Sequence, residues 1–144
     1  MGNGKRAGGF TLVELMITVA IVAILARIAY PSYVSYLTRG KRSAAESLMA
    51  TLANKEEQQL LNTRCYFSYP TDTTCTPPPL TVPGEVSTNY TITITASNTS
   101  TPPGYTVTAA PTSVLNDTKC ATLTLTNTGT KGSSGTDSVN NCWK

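Results

Sequence analysis

The sequence predicts an α+β protein in which one long N-terminal α-helix packs on a small antiparallel β-sheet of three or four strands. Three observations carry that expectation. An apolar run from Phe10 to Tyr30 passes directly into a segment whose apolar residues recur at helical spacing. Three later segments, rich in threonine, alternate apolar and polar residues as half-buried strands do. All four cysteines, Cys65, Cys75, Cys120 and Cys142, lie beyond the apolar run, as in a small head held by disulfides. The chain divides accordingly into a short leader (1–9), a hydrophobic helix (10–30), an amphipathic helix (31–62) and a cysteine-bearing head (63–144).

The first element, "FTLVELMITVAIVAILARIAY", matches the roughly 20 residues needed to cross a bilayer as helix. Two charges interrupt it. Arg27 lies near its end and can snorkel to the interface. Glu14 lies near its front, and an acid within a membrane span marks function by default. A cleaved secretory signal fits poorly, because the run is too long and contains Glu14. Pro31 lacks an amide to donate, so a kink or break is expected near Ala26 to Tyr30.

The helix then continues as "SYVSYLTRGKRSAAESLMATLANKEEQQLLN". Leu37, Ala44, Ala45, Leu48, Met49, Leu52 and Ala53 share one face, and Glu46, Lys55, Glu56 and Gln58 fall largely off it. The whole element would hold about 52 residues and run roughly 78 Å. Its basic stretch "RGKR" reads as a solvated or membrane-proximal anchor. The amphipathic half is expected to lie against the sheet.

In "NYTITITA" the inward set is Tyr90, Ile92, Ile94 and Ala96. In "YTVTAA" it is Tyr105, Val107 and Ala109, and in "ATLTLT" it is Ala121, Leu123 and Leu125. Threonine fills most of the opposite face, as β-branched residues do on a half-buried sheet. "SNTSTPPG" reads as the loop of a hairpin. The four cysteines allow three pairings; the local one joins Cys65 to Cys75 and Cys120 to Cys142.

Composition narrows the function. The chain has 144 residues, a net charge of +3 and no histidine, so the commonest general base and the commonest zinc ligand are both absent. No nucleophile–base pair stands out, and neither an enzyme nor a cofactor or metal is expected. "GNGKR" and "TGTKGSSG" lack the spacing of a phosphate loop. Asp117 and Asp137 fit no standard calcium loop. Asn89, Asn98 and Asn116 each begin an N-x-[ST] sequon, a pattern that arises readily in a threonine-rich chain. No strong basic patch is visible; Lys119, Lys131 and Lys144 are the tail's only candidates for a DNA-facing stripe.

"GGFTLVELMITVAIVAILARIAYPSY" resembles the type IV prepilin signature, a basic leader ending in glycine, then phenylalanine and an acid four residues on. The resemblance implies the type IV pilin fold. It also implies cleavage by a prepilin peptidase between Gly9 and Phe10, N-methylation of Phe10, and a helix-kinking role for Pro31. The new amine of Phe10 would stand four residues before Glu14, on the same helix face. In a filament, Glu14 would instead meet the amine of a neighbouring subunit. An unpaired buried charge costs several kcal/mol, roughly, so such a pair would act as a register device for assembly. A macrodipole role for Glu14, worth about 0.3–1 kcal/mol, is compatible with this.

The tail, "CATLTLTNTGTKGSSG" with "NNCW" after it, resembles the C-terminal disulfide loop of the PilE-like subgroup and implies a Cys120–Cys142 bond. The two resemblances together imply a structural subunit, major or minor, of a bacterial type IV pilus serving adhesion, twitching motility or DNA uptake. Its implied partners are other pilin subunits, the prepilin peptidase and the inner-membrane assembly platform. The subunit would sit in the inner membrane, N-terminus cytoplasmic, before joining the extracellular pilus. The alternatives are a type II secretion pseudopilin and a DNA-binding competence pilin.

Overall fold

A computed structural model describes residues 9–72, 75–76 and 79–143. The elements are α1 (Leu12–Thr63), α2 (Gly84–Ser87), β1 (Tyr90–Ser97), β2 (Gly104–Pro111), β3 (Leu123–Thr126), β4 (Lys131–Ser133) and α3 (Val139–Cys142). The chain forms two compact units, Met1–Leu37 and Thr38–Lys144. Helix α1 contributes to both.

The described part of the first unit is mostly helix, and none of its described residues is buried. Phe10, Leu12, Leu15, Ile17, Val19, Ile24 and Ile28 are all exposed. The helix carries Pro31 as an interior residue and runs on through it, so of the expected kink or break the break is absent. A proline removes a single i→i−4 bond, and the ladder resumes on either side.

The second unit has one core. Its helical part buries Ala45, Met49 and Leu52 against Ile92, Ile94, Val107, Ala109 and Leu123, all less than about one-twentieth exposed. Ala44, Leu48 and Ala53 flank that stripe, whereas Leu37 stays 43% exposed. The buried positions of α1 are Arg42, Ala45, Met49, Leu52 and Glu56. They step by three and four residues, so one narrow stripe of the helix faces inward. Two of its five members are charged. Residue pattern alone places Arg42 in solvent and Glu56 off the apolar face; both are buried, because helical spacing puts them in line with Met49.

The sheet is a four-stranded antiparallel meander in the order β1-β2-β3-β4. The register pairs Ile92 with Ala109, Ile94 with Val107, and Val107 with Leu125, so the three inward sets meet on one face. The hairpin loop closes at Ser97 and Gly104. Ala121 is not a strand residue. It has a φ of 49°, and its N–H is donated back to the carbonyl of Asp117. The strand therefore begins at Leu123, where pairing to β2 and β4 starts.

Candidate functional site

At the N-terminus, Gly9 and Phe10 precede α1, and Phe10 is 77% exposed. The hydroxyl of Thr11 accepts the N–H of Glu14 at 3.2 Å. The carbonyl of Thr11 takes the N–H of Leu15 at 3.2 Å. Thr11 is thus the N-cap and Glu14 the third residue of the helix, the positions of a capping box. This role of Thr11 was open to sequence reasoning, since T-x-x-E ahead of an apolar run is its signature. Glu14 itself is exposed and lies in the first turn, where an acid interacts favourably with the helix dipole. Behind it, α1 holds an 18-residue window of mean hydropathy 2.4, none of it buried. Chemically this is an adhesive rod carrying one acid, which lipid or other helices must cover.

In the head, the buried charge of Arg42 meets Asp117. The guanidinium donates from Nε to Oδ2 at 3.0 Å and from Nη2 to both carboxylate oxygens at 2.8 Å. Tyr90 donates its hydroxyl to Oδ2 at 3.1 Å, and the Cys120 amide donates to Oδ1 at 3.3 Å. Burial, reinforced by the Asp117 charge, raises the Tyr90 phenol above its ordinary range. The network ties helix α1 to strand β1 and to the start of the Cys120 loop. The two aspartates weighed for calcium have protein partners of their own. Asp117 is fully engaged by these donors, while Asp137 accepts from Ser138 N–H and Asn141 Nδ2, each at 2.8 Å. Among the described residues no group of three acidic, histidine or cysteine side chains is placed to hold a metal.

The cysteines pair locally, Cys65 with Cys75 and Cys120 with Cys142. The first bridge closes the turn between α1 and the sheet. Asn98 clamps that turn from the hairpin, accepting from Tyr66 N–H and donating to Tyr66 C=O, both at 2.8 Å. The second bridge folds the tail against β3 and β4. Segment 134–137 returns its amides to the carbonyls of Thr122, Cys120 and Lys119. Gly135 makes this approach possible, because a Cβ there would fall onto the Lys119 carbonyl. Of the three sequon asparagines, Asn89 is buried, with its Nδ2 on Glu85 C=O, and Asn98 is the clamp on Tyr66. Asn98 and Asn116 are both exposed, Asn98 with its amide engaged on Tyr66.

The cationic residues of the tail flank this second loop. Lys119 is exposed and immediately precedes Cys120. Lys131 is exposed on β4, with its ammonium 5.2 Å from the centroid of the Trp143 ring. The indole N–H is donated to Gly132 C=O at 2.9 Å and fixes the ring under the lysine. Lys144, like the leader residues 1–8 with Lys5 and Arg6, lies outside the described residues.

Comparison with known proteins covers both units. The family described as "Type IV minor pilin ComP, DNA uptake sequence receptor" matches residues 31–124. The prokaryotic N-terminal methylation motif matches residues 4–30. No curated protein matches the chain. Among solved structures, a type IV pilin from Shewanella oneidensis is similar at 23% identity with a TM-score of 0.50, covering 74% of this chain and 98% of that one. At that identity the likeness shows the fold alone.

Proposed function

We propose that this chain, which belongs to the family of the type IV minor pilin ComP, DNA uptake sequence receptor, is a pilus subunit whose head engages DNA. That it is a type IV pilin, built into a filament with other pilins and anchored in the inner membrane beforehand, follows from the family and the methylation motif. Membership also narrows "major or minor" to minor, and it favours a pilus over a secretion pseudopilin.

The finer steps are inferences. Prepilin peptidase removes residues 1–9 and methylates Phe10. The assembly platform then feeds the helix into the filament. There Glu14 takes up a subunit's terminal amine, with Pro31 allowing the helix to bend. The chain performs no catalysis of its own. DNA engagement draws on the exposed Lys119 and on Lys131 seated over Trp143, two cations beside one disulfide loop.

The observation that carries the reading is the family match across most of the head. Two measurements test it. The intact mass of the chain from its own host should show loss of Met1 to Gly9 plus one methyl group, and a retained leader would count against it. Duplex DNA binding should weaken with salt. Lys119→Ala and Lys131→Ala should each reduce the log–log salt slope by about 0.9. Unchanged slopes in both would remove these lysines from the interface.

A further inference from the structure

Glu56 lies outside the residues assigned above to assembly and DNA engagement. It is 0% exposed, on the inward stripe of α1. One oxygen, Oε2, accepts the N–H of Phe67 at 3.1 Å. The other, Oε1, has no hydrogen-bond partner among the described residues. A buried carboxylate that lacks a counter-ion and half its hydrogen bonds is tolerated when neutral and costly when charged.

The groups that face Glu56 do nothing to supply a counter-ion. Glu57 lies next to it on α1, and Asp72 comes from the Cys65–Cys75 turn; both are acidic and disfavour a second negative charge. Tyr66 of that turn and Tyr105 of β2 also face the cluster; burial first, then Glu57, and least of all Glu56 hold both phenols above their ordinary range. Burial is the largest influence on Glu56. Together with the two acids, and against the Phe67 N–H, it pushes the carboxyl up to about 7.

The contact at stake anchors the turn. Phe67 is itself fully buried, and its amide is what Glu56 holds. Two residues on, Tyr69 exchanges both backbone bonds with Ile94 at 3.0 Å and so caps the outer edge of β1. Asp72 in turn accepts the amides of Ser68 and Cys75. The turn is therefore latched to the helix by Glu56 and to the sheet by Tyr69.

We infer that Glu56 is a proton-dependent latch: as the neutral acid it docks the Cys65–Cys75 turn onto α1, and as the carboxylate it drives that turn to open toward water. The folded pKa is raised above the unfolded value, and the group is an acid, so the sign runs against the ordinary carboxylate. Docking is firmest at acidic pH. It weakens as pH rises from the usual glutamate range, about 4.5, through about 7, and no further change occurs above that. The disulfide limits the opening to the turn it closes.

The test is amide hydrogen exchange on the full chain in detergent micelles, expressed as protection factors so that intrinsic base catalysis cancels. From pH 5 to pH 8, protection at Phe67 and Ile94 should fall on the order of 30–100-fold, as the displaced pKa requires. Val107, in the sheet centre, should stay level. Glu56→Gln keeps an acceptor for Phe67 and removes the charge, so its Phe67 profile should be flat. A wild-type profile that is flat, or a Glu56→Gln profile as steep as the wild type, would overturn the latch. Should Glu56→Gln fail to fold, the wild-type carboxyl carbon followed by NMR decides: a midpoint near 7 supports the latch, and one near 4.5 overturns it.

Discussion

Replacing Asp117 by asparagine isolates the energetics of the buried network. The wild-type carboxylate accepts Arg42 Nε and Nη2, the Tyr90 hydroxyl and the Cys120 amide, at 2.8–3.3 Å. The side chains of Arg42 and Asp117 are 8% and 2% exposed, so water replaces none of these bonds. Asparagine leaves the guanidinium buried without a counter-ion and turns an acceptor edge into a donor facing other donors. Breaking one side of a buried pair costs about 3–5 kcal/mol. Whole domains are stable by only about 5–15 kcal/mol, so this is a large share. The assay is urea unfolding of the full chain in micelles, read by the single tryptophan, Trp143, which is 7% exposed. With a slope of about 1–2 kcal/mol/M, the midpoint should fall by roughly 1.5–5 M. The double change Arg42→Met with Asp117→Leu removes both charges and should return to within about 2 kcal/mol of wild type, because apolar isosteres often replace buried pairs without loss. An Asp117→Asn loss below about 1 kcal/mol, or a double variant as unstable as the sum of its singles, would refute the reasoning.

The tail and the bridges give two further expected outcomes. Gly135→Ala should cost at least about 2 kcal/mol, because the new methyl meets the backbone of Lys119 and Cys120 rather than a side chain that can turn away; thermal unfolding that matches wild type would show that segment 134–137 can withdraw freely. Removing Cys120–Cys142 by paired serines should cost about 3.4 kcal/mol and removing Cys65–Cys75 about 2.7 kcal/mol in the chain-entropy model, given separations of 22 and 10 residues; denaturant midpoints in the reverse order would show that packing outweighs loop closure.

Much of this architecture was written in short-range pattern. The alternation at Tyr90, Ile92 and Ile94, at Tyr105, Val107 and Ala109, and at Leu123 and Leu125 names the inner face of the sheet, because strand side chains repeat every two residues whatever lies opposite. The run from Phe10 to Tyr30 is exposed in the structure. Its hydrophobicity can be summed along the chain without knowing the fold. The tail's short β4, Lys131–Ser133, was harder to see: a three-residue strand containing glycine has no periodicity to read.

What the sequence determined by itself is the long helix and the inner faces of three strands, the acid at the front of the apolar run, and the local disulfide pairing as one of three options. What only the tertiary structure decided is the fate of the charges. Arg42 and Glu56 share a helix stripe with Ala45, Met49 and Leu52, yet no local pattern says that one will be neutralised and the other left short of a partner. The ion pair spans 75 residues, and the acid lies opposite a turn that brings Asp72 instead of a cation. Burying a charge is governed by what stands across from it in space, and that partner is chosen when the chain closes, not where it is written.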